Sequence, residues 1–248
     1  MTGRYDLLIE QLASLDPLAR RCAAEGLGDL HDARAVSALV EAASDPEVEV
    51  REAAVDALVV IGGQAVCERV APLLESEDVP LQSYASEILE RLGPESIDVL
   101  VAACHSASPE VRRVALDILG NVARGCAGGC LEAVGALLGD DNPEVASSAA
   151  EALGQIGDAR ATPYLAKHLN DPPWMQLCVF TALSQIGGEA ALKALGSVDV
   201  GQLSPLTKHF FDSALMVIEA CPAQGHPSCP EGFGTRAGRG AATEQRRP

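Results

Sequence analysis

The sequence predicts an all-α protein, an α-solenoid of about six to seven stacked helix pairs, and three observations predict it. Composition is the first: 48% of the residues are hydrophobic while only 3% are aromatic, so the apolar content rests on Ala, Leu and Val. Ala and Leu are the strongest apolar helix formers, whereas a β-sandwich or barrel draws on β-branched and aromatic side chains. The second is an internal repeat. Similar segments align on Leu27, Leu58, Leu89, Leu119, Leu153 and Leu183, with spacings of 31, 31, 30, 34 and 30 residues. A helix pair of this size cannot bury its apolar face alone and must stack on its neighbours. The third is punctuation: a turn signal before every aligned segment and a glycine after four of them.

Residues 5–15 read as the first helix of the first pair, with Asp6, Glu10 and Gln11 available to an end that meets water. Each later second helix is announced by a turn signal: Asp16-Pro17, Asp45-Pro46, Asp78 with Pro80, Ser108-Pro109, Asn142-Pro143 and Asp171-Pro172-Pro173. Asp, Asn or Ser can accept the unpaired N–H groups of a helix start, and Pro fits the first turn because its missing N–H had no partner there. Gly62, Gly93, Gly157 and Gly187 follow the last apolar position and suit the left-handed residue that closes a helix. Between each stop and the next start lies a first helix, as in 35–42 and 97–103, where apolar residues recur at i, i+3 and i+4. The 34-residue spacing before Leu153 coincides with Gly125, Gly128 and Gly129, which predicts a flexible loop.

At this point the sequence resembles the short HEAT-like repeats of the kind found in phycobilin lyases, carried best by DPEVEVREAAVDALVVIG at 45–62 and NPEVASSAAEALGQIGD at 142–158. The resemblance implies an all-α, right-handed α-solenoid of about six to seven HEAT-like helix pairs. It covers roughly residues 5–190; the solenoid as a whole is expected to take in residues 1–221, with a degenerate last repeat at 189–221. Residues 222–248, rich in Gly, Pro, Ser, Arg and Gln, are expected to form a disordered tail because they hold too little apolar area to order themselves.

The resemblance also places the second helices on the concave side, where one column of aligned residues reads Glu25, Asp56, Glu87, Asp117, Glu151 and Thr181. The five carboxylates imply an acidic ladder suited to the basic segment of a protein partner; the bland alternative is a solvated helix face. Five residues earlier stand Arg20, Arg51, Gln82, Arg112, Ala146 and Gln176. In HEAT-like repeats an arginine at this point ties one repeat to the next, so Arg20, Arg51 and Arg112 are expected to be structural. The sixth repeat breaks the alanine pattern with Trp174 and Met175, candidates for a surface anchor, since Trp and Met are enriched at interfaces.

Charge narrows the partners. The net charge is −17, and a chain this acidic repels phosphates, so neither nucleic acid nor an anionic membrane is expected. No apolar run is long enough to span a bilayer, and eight scattered Cys do not resemble a secreted disulfide framework. A cytoplasmic protein with reduced thiols is expected. No metal or cofactor is expected either: Cys126 with Cys130, and Cys221 with His226 and Cys229, fall short of four ligands. Catalysis finds no foothold. The iron-binding deoxyhypusine hydroxylases carry His-Glu pairs, and none of His31, His105, His168, His209 or His226 precedes a Glu. The sequence therefore predicts a non-catalytic scaffold or adaptor. The alternative, suggested by the resemblance alone, is a component of a bilin lyase or isomerase.

Overall fold

The computed structural model describes residues 3–125 and 129–220. Its helices run in order as α1 (Arg4–Leu12), α2 (Pro17–Asp29), α3 (Val36–Ala42), α4 (Val48–Ile61), α5 (Gln64–Val70), α6 (Val79–Leu92) and α7 (Ile97–Ala103). They continue as α8 (Pro109–Val122), α9 (Leu131–Ala136), α10 (Pro143–Ile156), α11 (Thr162–Leu165), α12 (Pro173–Ile186), α13 (Gly188–Leu195) and α14 (Pro205–Ala220). Odd-numbered helices are the first members of seven pairs and even-numbered ones the second. The result is an all-α solenoid, without a strand among the described residues.

The six aligned leucines are the spine of the core: Leu27, Leu58, Leu89, Leu119, Leu153 and Leu183 are all 0% exposed. Around them the core is filled chiefly by Ala, Val, Leu and Ile, with Phe180 and Phe211 at the last pairs. Those two rings meet edge to face with centroids 5.5 Å apart and tie α12 to α14.

The punctuation acts largely as its chemistry dictates. Asp16, Asp78, Ser108 and Asn142 accept backbone N–H bonds at the starts of α2, α6, α8 and α10. Gly62, Gly93, Gly157 and Gly187 close α4, α6, α10 and α12 with φ between 61° and 72°. The second and sixth starts differ: Glu47 caps α4 without a side-chain bond, while Asp45 accepts from the Glu47 N–H. Pro172 caps α12 without a side-chain bond, and Asp171 turns back to His168 Nδ1 at 2.7 Å. The first helices are short, and several finish in a 3-10 turn, as at Ala71–Glu75 and Ala166–His168.

One residue per repeat sets how near successive second helices lie. The position after the aligned Leu reads Gly28, Val59, Glu90, Gly120, Gly154 and Ser184. A Cβ on Gly28 would fall 2.9 Å from both Cα and Cβ of Ala57, and one on Gly154 2.9 Å from Cα of Ala182. Glycine thus lets α4 lie on the backbone of α2, and α12 on that of α10. With Val59 and Glu90 in the same place, α4 and α6 meet their successors over less of their length.

Candidate functional site

The arginine column has a repeated geometry. Arg20 Nε and Nη2 donate to the two Asp45 oxygens at 2.7 and 2.8 Å, while Nη1 reaches the carbonyls of Ser14 and Leu15. Arg112 repeats the arrangement on Asp140, at 2.9 and 2.8 Å, and on the carbonyls of Ser106 and Ala107. Arg51 keeps the carbonyl contacts, to Asp45 and Pro46, and turns its Nε to the Tyr84 hydroxyl. Gln82 and Gln176 each donate to one carbonyl, of Leu74 and Leu169. In the Arg20 and Arg112 pairs both partners are largely buried, and the two-pronged bond to arginine holds the Asp45 and Asp140 carboxyls below the usual carboxylate range. Each pair links the second helix of one repeat to the inter-helix turn of the next.

The acidic column lies on the exposed side of the second helices, with arginines interleaved. Glu25 pairs with Arg21, Asp117 with Arg113, and Arg91 bridges Asp56 at 2.7 Å and Glu87 at 3.1 Å. Among the described residues Glu151 makes no salt bridge and accepts from Gln155. Partial burial pushes the Asp117 carboxyl upward.

Between α2 and α4 the close approach at Gly28 leaves a cleft of about 360 Å³. Its walls hold Glu25, Asp29, Glu49, Glu52 and Asp56 against one cation, Arg21. Among the described residues Asp29, Glu49 and Glu52 make no salt bridge, so this end of the face is strongly electronegative. Sequence reading missed these three acids. The signal was present: Glu49 and Glu52 stand nine and six residues before Leu58, on the same side of α4 as Asp56.

Trp174, at the start of α12, is 42% exposed. Met175 corrects the expectation of an anchor there: it is 1% exposed and sits in the core, eight residues before Leu183 and so on the buried side of the helix. Among the described residues no three His, Cys, Asp or Glu side chains converge as a metal site. Cys126, Cys221, His226, Cys229 and the tail at 222–248 lie outside the described residues. No helix of the described residues is long and apolar enough to cross a membrane.

The family model described as HEAT repeats matches residues 5–90 and 97–177. The chain belongs to the HEAT-repeat family. Among curated proteins it resembles the "Uncharacterized phycocyanin operon protein Z" of Pseudanabaena tenuis (strain PCC 7409), 27% identical over 175 residues that cover 67% of this chain and 85% of that protein. Of solved structures, a Kap121p mutant superposes with a TM-score of 0.56 at 16% identity, covering 86% of this chain and 29% of that one. Human deoxyhypusine hydroxylase aligns with a TM-score of 0.44 at 22% identity, over 89% of this chain and 86% of that one. The Kap121p likeness shows the solenoid fold.

Proposed function

We propose that this HEAT-repeat protein is a non-catalytic scaffold or adaptor of the cytoplasm, whose second-helix face forms an acidic groove for a basic segment of a protein partner. The observation that carries this reading is the α2–α4 cleft, where five carboxylates line the walls with Arg21, and Arg21 and Arg91 pair with only two of them, Glu25 and Asp56. From it the column Glu25, Asp56, Glu87, Asp117 and Glu151 continues across α6, α8 and α10. A lysine or arginine entering the cleft would gain charge-assisted hydrogen bonds. Nucleic acids and anionic bilayers, in contrast, would meet like charge. The test is a Lys/Arg-rich peptide titrated by fluorescence anisotropy against the full chain and against Glu87→Gln, Asp117→Asn and Glu151→Gln combined. Weaker binding with a flatter salt dependence supports the groove; unchanged affinity and salt slope make the column a solvated surface.

A second reading rests on the phycocyanin operon relative: a component of a bilin lyase or isomerase. A tetrapyrrole favours aromatic walls, and the acidic part of this face offers Ala, Glu and Arg instead. Adding a free linear tetrapyrrole and finding a shifted absorption band would favour it over the adaptor.

A further inference from the structure

The second-helix face changes character towards the C-terminal end of the solenoid. Two equivalent clefts make the change visible. The cleft between α2 and α4 is acid-lined. Its counterpart between α10 and α12 uses the same helical positions, yet there Ser147, Leu177, Cys178, Thr181 and Gln185 leave Glu151 as the one charged group.

The last pair carries the change further. In α14 the buried residues Thr207, Phe211, Ala214 and Ile218 are spaced about Leu215 as Met175, Val179, Ala182 and Ile186 are about Leu183 in α12. Leu215 is therefore the seventh aligned leucine, which places the rest of α14 in register. Leu206 then takes the position of Glu49 and Trp174, Phe210 that of Ala53 and Cys178, and Val217 that of Val60 and Gln185. Ser213 takes the place of the ladder acid. Leu206, Phe210 and Val217 are 58%, 38% and 52% exposed. They fall within one narrow stripe of the helix, while Lys208, Asp212 and Glu219 lie on another side. A large apolar stripe left in water marks an interaction surface.

We propose that α12 and α14 form the apolar half of a two-part docking surface, whose occupant is a protein segment in which a basic stretch adjoins an apolar or aromatic one. This rests on the reading of the acidic face as a binding surface. Charge complementarity selects the occupant: the stripe continues a face lined with carboxylates, so an apolar ligand lying on it must carry cations where it passes Glu151 and Asp117. The same acids repel anionic lipid head groups, which leaves a protein segment. Neighbouring helices lie about 8–10 Å apart, and an extended chain advances about 3.3 Å per residue. Eight extended residues therefore advance about 26 Å, which crosses about three helix spacings of the acidic run and exceeds the two from α10 to α14.

The test uses the full chain and three labelled synthetic peptides: a basic octamer, and that octamer extended by eight Leu-, Phe- and Ser-containing residues at either end. The better extended peptide is expected to bind at least ten-fold tighter than the octamer. Leu206→Ser, Phe210→Ser and Val217→Ser combined should remove that gain without changing octamer affinity, and Trp174→Ser alone should reduce it. All four side chains are solvent-facing, so the far-UV spectrum should be retained. No gain from either extension, or a gain that survives the triple variant, overturns this inference and leaves the acidic groove standing. Failure of the octamer itself to bind overturns the groove reading, and this inference with it.

Discussion

Replacing Gly28 by Ala tests whether glycine sets the spacing of the second helices. The new Cβ would sit 2.9 Å from two atoms of Ala57, one of them backbone, so α2 and α4 have to part by several tenths of an ångström. Overpacking of this kind costs about 1–3 kcal/mol, and the better helix propensity of Ala returns about 1 kcal/mol. Gly28→Ala is thus expected to destabilise by about 0–2 kcal/mol. Gly120 is the control. Its Cβ would meet Ala152 Cα at 3.3 Å and otherwise the mobile end of Gln155, so the propensity term survives and Gly120→Ala is expected to be neutral or stabilising by up to about 1 kcal/mol. Urea unfolding followed by far-UV circular dichroism measures both. Equal midpoints, or a more stable Gly28→Ala chain, would refute the spacing argument.

Phe180→Ala removes the partner of Phe211 from a fully buried site and should cost about 3–5 kcal/mol, read as a lower urea midpoint. Acid should unfold the chain partly through Asp45 and Asp140. Arginine holds both carboxyls low, so the folded chain binds fewer protons; their contribution is complete above about pH 4 and is lost as pH falls through the lower folded-state values. Arg112→Met should flatten that fall, which urea midpoints between about pH 3 and 6 would register. Burial pushes the Cys67 thiol up to about 11 and Cys104 up to about 12. Iodoacetamide should therefore label exposed Cys22 in the native chain and reach Cys67 and Cys104 only after denaturation, as peptide mass mapping would show.

The fold was legible because its signals are local and repeated. A leucine in fixed register reappears six times, a side-chain cap before the helix four times and a left-handed glycine after it four times, and each is satisfied within its own repeat. What sequence reading missed depends on neighbours across the stack. Asp45 read as part of a turn signal and Asp140 was not singled out, and that they receive Arg20 and Arg112 from the preceding repeat appears only when the repeats are stacked. Trp174 and Met175 are adjacent in sequence, yet successive residues point about 100° apart on a helix, so one reaches solvent and the other the core. Glu49 and Glu52 lay outside the column chosen for its regularity and become part of the acidic cleft through the approach of α2. The register of α14 was hidden because Leu215 stands in a degenerate repeat. Only its burial pattern aligns it with Leu183.

The central claim, an acidic groove that takes a basic protein segment, is tested most directly by the salt dependence of its binding to a Lys/Arg-rich peptide. Titrations of the full chain at ionic strengths from about 0.05 to 0.3 M span the range over which surface charges become screened. The account predicts saturable binding at the low end that weakens steadily as salt rises, and that weakens less in the Glu25→Gln, Glu49→Gln and Glu52→Gln triple variant. Absence of binding at the lowest salt, or binding indifferent to both salt and the variant, would contradict it.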